Sequence, residues 1–159
     1  MRKFERISFE QFKKDVSDNK ELYDSIILPK RSTKNSAGYD IRSVEQYTLE
    51  PLKSKIFKTG IKVSMNEDEV FYIFDRSSFG FKYDIMLSNS VGVIDCDFYN
   101  NPENEGHIGI KLINMGDREV EINVGDRIAQ GVFVKYLTVD DEEEIKLLRK
   151  GGSGSTGRK

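Results

Sequence analysis

The residues from Asp75 to Asp97 are the types that phosphate chemistry needs. The segment opens Asp75-Arg76-Ser77-Ser78-Phe79-Gly80, passes Asn89, and closes Gly92-Val93-Ile94-Asp95-Cys96-Asp97. An arginine offers a planar fork of donors that matches phosphate oxygens. Serine hydroxyls and a glycine-softened backbone close around the same oxygens. A carboxylate that follows a short apolar run can accept a proton from water. Together these groups can hold a phosphate chain and deliver water to it. Each fragment alone also has a plain reading, Arg-Ser-Ser as a surface motif and Gly-Val-Ile-Asp as an ordinary strand end.

Such groups act only if rigid elements hold them. Ser8-Phe9-Glu10-Gln11 reads as a capping box, with Ser8 as cap and Gln11 reaching back. Phe9, Phe12 and Val16 recur at helical spacing, which predicts a short helix from about Phe9 to Val16. After Asp24 the texture turns to strands. Ile26-Ile27-Leu28 reads as a short strand closed by Pro29, Ile56 to Met65 alternates loosely and is broken at Gly60, and Val70 to Phe74 is a strongly β-prone run. Ile85-Met86-Leu87 and Val91-Gly92-Val93-Ile94 flank Ser88-Asn89-Ser90, which reads as a hairpin tip. Ile108 to Ile113 follows, then a turn at Gly116-Asp117-Arg118, the alternation Val120, Ile122, Val124, a turn at Gly125-Asp126, and Ile128 to Tyr136. Many short strands with turn residues between them predict an antiparallel sandwich or jelly roll.

The chain has 159 residues, enough for about one domain with a real core. Its formal net charge of -2 carries no basic footprint for nucleic acid, so an anionic substrate must meet a local cluster of cations. Cys96 is the single cysteine, which excludes an intrachain disulfide and suits a reducing compartment. One histidine and one cysteine do not make a structural zinc site. The start, Met1-Arg2-Lys3-Phe4-Glu5-Arg6, lacks the apolar run of a signal peptide, and Val70 to Phe74 is too short to span a bilayer. A cytoplasmic protein with no direct nucleic-acid or membrane partner is expected.

Five segments, in order, resemble the five motifs of the trimeric dUTP pyrophosphatase (dUTPase) family. They are Ser36-Ala37-Gly38-Tyr39-Asp40-Ile41, Asp75-Arg76-Ser77-Ser78, Gly92 to Phe98, Gly125-Asp126-Arg127-Ile128-Ala129-Gln130, and the glycine-rich tail from Gly151 to Gly157. The resemblance runs from about Ile26 to Gly157 and leaves the N-terminal helix uncovered. It implies an all-β jelly roll or distorted barrel, as one domain over residues 1–148, with a flexible C-terminal arm over 149–159. It further implies a homotrimer with shared interface sites and a Mg²⁺-assisted hydrolysis of dUTP to dUMP and pyrophosphate, which limits uracil in DNA and supplies dUMP.

Roles follow position by position from the same resemblance. Asp95 would orient and deprotonate the attacking water, while Arg76, Ser77, Ser78 and Gln130 would hold phosphate oxygens. Asp40 would sit near the magnesium through water. Asn89 would read uracil, with Val93 and Ile94 beside it and the backbone of Gly109 against the base. Phe98 stands where the family has a sugar-stacking tyrosine, with Tyr99 adjacent. Arg149 would approach the γ-phosphate, with Lys150 as a fallback, and Ser155 and Thr156 would add hydroxyls. Asp97 is expected on the opposite strand face from Asp95.

Two further departures stand out. Tyr99 to Glu105 reads as an insertion that lengthens a loop, and Ser153 replaces the aromatic that lies over uracil in the family, a stacking contact of about 1–3 kcal/mol. They keep open a nucleotide-gated protein-binding module with weak or lost catalysis. A dCTP deaminase relative is the other alternative, against which no matching glutamate follows Arg76-Ser77-Ser78. The plain readings are a surface or supporting role for His107, apolar packing for Cys96, core for Tyr39, a turn ion pair for Asp126 and Arg127, and a solvated linker for Asp140 to Glu144.

Overall fold

The computed structural model describes residues 1–152. In chain order the elements are β1 (Lys3–Arg6), α1 (Phe9–Asp15), α2 (Lys20–Asp24), β2 (Lys30–Arg31), β3 (Tyr39–Arg42), β4 (Tyr47–Leu49), β5 (Ser54–Lys58) and β6 (Ile61–Ser64). They continue with β7 (Glu69–Phe74), α3 (Ser77–Tyr83), β8 (Ile85–Leu87), β9 (Gly92–Asp95), β10 (Gly109–Asn114), β11 (Val120–Ile122) and β12 (Arg127–Lys135). The fold is all-β with short helices. A five-stranded sheet runs β2-β3-β12-β7-β9, a three-stranded one β5-β10-β8, and two-stranded ladders join β1 to β6 and β11 to β4.

Side-chain alternation explains the layers. Phe71 and Ile73 of β7 point into the core, whereas Phe74 at its end is exposed. The core is one cluster that includes Phe12, Phe57, Phe71, Ile110, Leu112 and Ile122. Burying one such side chain stabilises the fold by about 1.5–3 kcal/mol.

Three pairings position the candidate residues. Gln130 of β12 lies opposite Asp40 of β3 on one side and Phe74 of β7 on the other. Asp75 and Arg76 follow directly at the end of β7. On the far side of β7, β9 runs antiparallel and sets Asp95 opposite Val70, near the start of that strand.

Several expectations need correction. Ile26-Ile27-Leu28 is not a strand: Ile26 is buried and its carbonyl accepts from Arg6 Nη2 at 3.0 Å, and pairing begins only at Lys30. β8 and β9 do not form a hairpin, because the turn at Ser88-Asn89-Ser90 passes the chain from one sheet to another. The strand β1 and the helices α2 and α3 had no strong sequence signal. β1 is anchored by Arg2, whose Nε donates to Glu69 Oε2 at 2.8 Å. Arg2 and the Asn66 amides hold the Glu69 carboxyl down to about 2.

The capping box is half formed. Ser8 Oγ accepts from Gln11 N–H at 3.1 Å, but the Ser8 N–H donates to Glu105 Oε2 at 2.9 Å. The loop from Tyr99 to Glu105 therefore clasps the start of α1. Asn101, buried at its centre, donates to Phe98 O at 2.8 Å and accepts the amides of Glu103 and Asn104. Gly106 closes the loop at φ +83, where a Cβ would meet Phe98 O at 2.6 Å.

Candidate active site

Arg76 is the N-cap of α3, extended at φ -83 and ψ 138, so its side chain leaves the sheet edge rather than joining the helix. Its Nε donates to Asp40 Oδ1 at 3.2 Å and its Nη1 to Arg127 O at 3.3 Å and Ser78 Oγ at 3.4 Å. Asp40 also accepts from Ser32 Oγ at 2.6 Å and from Arg127 Nη1 at 3.2 Å. One carboxylate thus orients two guanidiniums. Burial opposes its charge, but the Ser32 and Arg127 hydrogen bonds and the Arg76 charge outweigh that and hold the Asp40 carboxyl below its usual range. Arg127 therefore reaches Asp40, not Asp126 as the sequence suggests. Asp126 accepts the Asn123 amide at 2.8 Å instead.

Ser32, Asp40, Arg76 and Ser78 line a cleft of about 330 Å³ with Ser36, Gly38, Ser77 and Gln130. Gln130 Nε2 donates to Asp75 O at 2.9 Å, which fixes the amide at the cleft wall. Gly38 makes room for it: a Cβ there would stand 2.4 Å from Gln130 Oε1. A larger hollow of about 410 Å³ shares Arg76 and Ser78, but Glu119, Glu121 and Asp126 line it. Three carboxylates line that hollow beside Arg76 and Arg127, whereas Asp40 is the one carboxylate lining the smaller cleft among the described residues.

The second group of expected residues lies elsewhere. Asp95 ends β9, and Arg149 Nη2 sits 2.5 Å from its Oδ2. The Nε of the same arginine donates to Asp97 Oδ1 at 2.6 Å, and its guanidinium lies over the Phe98 ring at 5.9 Å. Asp97 therefore shares a side with Asp95, contrary to the expectation: β9 ends at Asp95, and a 3₁₀ turn over Cys96–Phe98 brings both carboxylates to Arg149. Phe98 is buried, Val93 is exposed on the same face as Asp95, and Ile94 packs against the core. Cys96 is partly buried against the core, and burial pushes its thiol up.

Asn89 is exposed on the turn after β8, where its Nδ2 lies 3.4 Å from Val91 O. Gly109 starts β10 opposite Lys58. From Val70, opposite Asp95, to Arg76 is six residues of extended chain, or about 20 Å. A single chain brings Arg76, Ser78, Asp40 and Gln130 together and Asp95, Asp97, Phe98 and Arg149 together, at opposite ends of β7. Ser153, Ser155 and Thr156 lie outside the described residues.

A family model described as dUTPase matches residues 24–157. The chain belongs to the dUTPase family. It is 50% identical over 133 residues, covering 83% of this chain and 89% of the relative, to the deoxyuridine 5'-triphosphate nucleotidohydrolase of Lactococcus lactis subsp. lactis (strain IL1403). A crystal structure of the Streptococcus mutans dUTPase superposes with TM-score 0.73 at 42% identity, covering 86% of this chain and 98% of that one. A mutant dUTPase from phage phi11 of S. aureus, described with a coordinated structural Mg(II) ion, shares the fold at TM-score 0.67 and 24% identity, over 93% of this chain and 98% of that one.

The dUTPase reaction is the hydrolysis of dUTP to dUMP and pyrophosphate, and it belongs to this chain. The part that Ser32, Arg127 and Asp75 play in this dUTPase had no signal of its own in the sequence. Ser32 lies outside every motif, Arg127 reads as half of a turn ion pair within the fourth motif, and Asp75 opens the second motif without an assigned role. His107 is buried rather than at the surface. It is 5% exposed, with Nδ1 2.5 Å from Asp15 Oδ2 and Nε2 accepting the Gly60 amide at 2.9 Å. Tyr39 is half-buried and packs against Phe4 and Phe133 at the edge of the core rather than within it.

Proposed function

We propose that catalysis takes place between copies of this chain, in a homotrimer whose sites combine the Arg76 cleft of one copy with the Asp95 end of another. The observation that carries this reading is the separation of those groups along β7, about 20 Å in one chain, too far for one triphosphate site. The outer face of the five-stranded sheet supports it. Val93, Tyr72 and Val132 stand in one register row across β9, β7 and β12, with Phe74 and Val134 exposed beside them. An apolar stripe between the two polar clusters suits burial against a second copy. The resemblance of the motifs to a trimeric family supports three copies.

In that site Arg76, Ser77, Ser78 and Gln130 hold phosphate oxygens. Asp95 orients a water and takes its proton as the water oxygen bonds to the α-phosphorus. The bond from that phosphorus to the bridging oxygen of the β-phosphate breaks, and pyrophosphate leaves. Arg149 exchanges its pair with Asp95 and Asp97 for the γ-phosphate. Asn89, with Val93, Ile94 and the Gly109 backbone, reads uracil. Uracil and cytosine swap a carbonyl for an amine, and a mismatch that leaves donors unpaired costs on the order of 10⁴-fold in rate. Phe98 stacks on the deoxyribose.

Magnesium fits this donor set as a passenger of the substrate. Among the described residues no group of three or more His, Cys, Asp and Glu is placed to hold a metal. Asp40 is the one carboxylate lining the phosphate cleft among the described residues, and its oxygens already serve Ser32, Arg76 and Arg127. Magnesium prefers phosphate oxygens and water, so Asp40 would hold it through its hydration shell, and the ion would supply charge neutralisation for the phosphates. No helix among the described residues is long and apolar enough to cross a membrane.

Pyrophosphate release tests the reading. With dUTP and magnesium, stoichiometric pyrophosphate and dUMP are expected, with dCTP turned over far more slowly. Nucleotide binding without turnover would overturn it, as would substantial deamination of dCTP.

A further inference from the structure

Asp75 does more than precede the phosphate-binding arginine. It is half-buried, and its Oδ1 accepts the Leu87 amide at 2.5 Å. Leu87 ends β8, the outer strand of the three-stranded sheet. The next amide, Ser88 N–H, donates to Lys111 O of β10 at 2.9 Å. Successive strand amides point to opposite sides, so Leu87 N–H faces away from the sheet and meets Asp75. The Leu87 carbonyl accepts Ser90 N–H at 3.1 Å and closes the turn that displays Asn89. Both backbone groups of Leu87 are thus tied, one to the turn and one to Asp75. The backbone carbonyl of Asp75 meanwhile holds Gln130 Nε2 at 2.9 Å.

We infer that Asp75 is a positioning residue for base recognition, with its side chain fixing the root of the Asn89 turn while its carbonyl fixes Gln130 in the phosphate cleft. The inference rests on the reading of Asn89 as the uracil-sensing group. A neutral side chain would cap one edge amide at lower desolvation cost, and burial raises the Asp75 carboxyl above its usual range. A charged acceptor makes the stronger bond. Base choice depends on small displacements of donors and acceptors, so the strength of that bond bears on specificity.

The two bonds use different atoms, so they separate in experiment. Asp75→Ala removes the side-chain bond and keeps the carbonyl bond to Gln130. Its kcat/KM preference for dUTP over dCTP should fall at least tenfold. Inhibition by magnesium tripolyphosphate, which senses the phosphate cleft alone, should stay within twofold. Asp75→Asn keeps an oxygen acceptor and should restore most of the preference. Asp75→Glu keeps the charge on a longer stem that displaces the turn; its preference should fall as well, and it decides the matter where the alanine variant fails to fold. An unchanged preference in the alanine or glutamate variant overturns the inference, as does an asparagine variant no better than alanine. A parallel rise in the tripolyphosphate inhibition constant also overturns it. If the unmodified chain does not hydrolyse dUTP, the reading of the site fails instead.

Discussion

In the proposed site Asp95 and Gly38 would act on the reaction in different ways, one by chemistry and one by leaving space. Asp95→Asn keeps the shape and an oxygen for the water but removes the proton acceptor. General-base catalysis contributes about 10²–10⁴-fold, so kcat should drop by that order while the dissociation constant for dUTP holds within a few-fold. Single-turnover kinetics beside equilibrium binding checks it, and a near-normal rate would remove Asp95 from the base role. Gly38→Ala pushes on Gln130, because its Cβ would stand 2.4 Å from Oε1. The amide must leave Asp75 O or shift in the cleft. A hydrogen bond is worth about 0.5–1.5 kcal/mol, so the KM for dUTP should rise roughly two- to tenfold with kcat little changed. Both residues were legible as motif positions. The grip of Ser32 and Arg127 on Asp40 was not, since it joins segments far apart in sequence.

The strands were legible because their alternation is local. Val70 to Phe74 reads as β from composition alone, and the break at Gly60 falls between β5 and β6 as expected. Short elements set by tertiary contacts were not. α3 has the sequence Ser-Ser-Phe-Gly-Phe-Lys-Tyr, which is poor in helix formers, and it ends on Asp84 in a left-handed conformation at φ 53. β1 is a strand because β6 offers it an edge. The burial of His107 was hidden for the same reason, since its partners are Asp15 on α1 and Gly60 between β5 and β6. Burial lowers its pKa, against the pull of Asp15 and Glu105 and with the push of Lys58. With Nε2 accepting from Gly60, the proton of the neutral ring sits on Nδ1 and donates to Asp15. The unfolded chain takes up a proton near pH ~6.5 that the folded ring resists. This stabilisation is therefore complete above about pH 6.5 and declines as pH falls below it. Asp15 is also depressed, but its contribution fades only in the more acid carboxylate range. Urea midpoints should fall from pH 7.5 to 5.5. His107→Ala should cost about 2–4 kcal/mol at neutral pH, by stranding the Gly60 amide and Asp15, and should flatten that slope. An equally steep slope in the variant would assign the pH dependence to other groups.

At the scale of the whole molecule, the separation of Arg76 from Asp95 makes a prediction that no single-chain site shares. Arg76→Ala chains keep a sound Asp95 end, and Asp95→Asn chains keep a sound cleft. Each alone should be nearly inactive. Unfolded together in equal amounts and refolded, they form mixed assemblies. A site is complete wherever the cleft of an Asp95→Asn chain meets the Asp95 end of an Arg76→Ala neighbour. With random mixing that is one half times one half, so about a quarter of sites should work in a closed ring of any size above two. Simply combining the two folded proteins should give the same recovery only as fast as subunits exchange. Were each chain to complete its own site, mixing would recover nothing at any ratio. The recovered rate, read as a fraction of the unmodified enzyme at equal site concentration, separates the two cases. The apolar row of Tyr72, Val93 and Val132 sets how far this exchange can be driven: a charge at Val93 should dissociate the assembly and abolish recovery, even though each chain keeps its core.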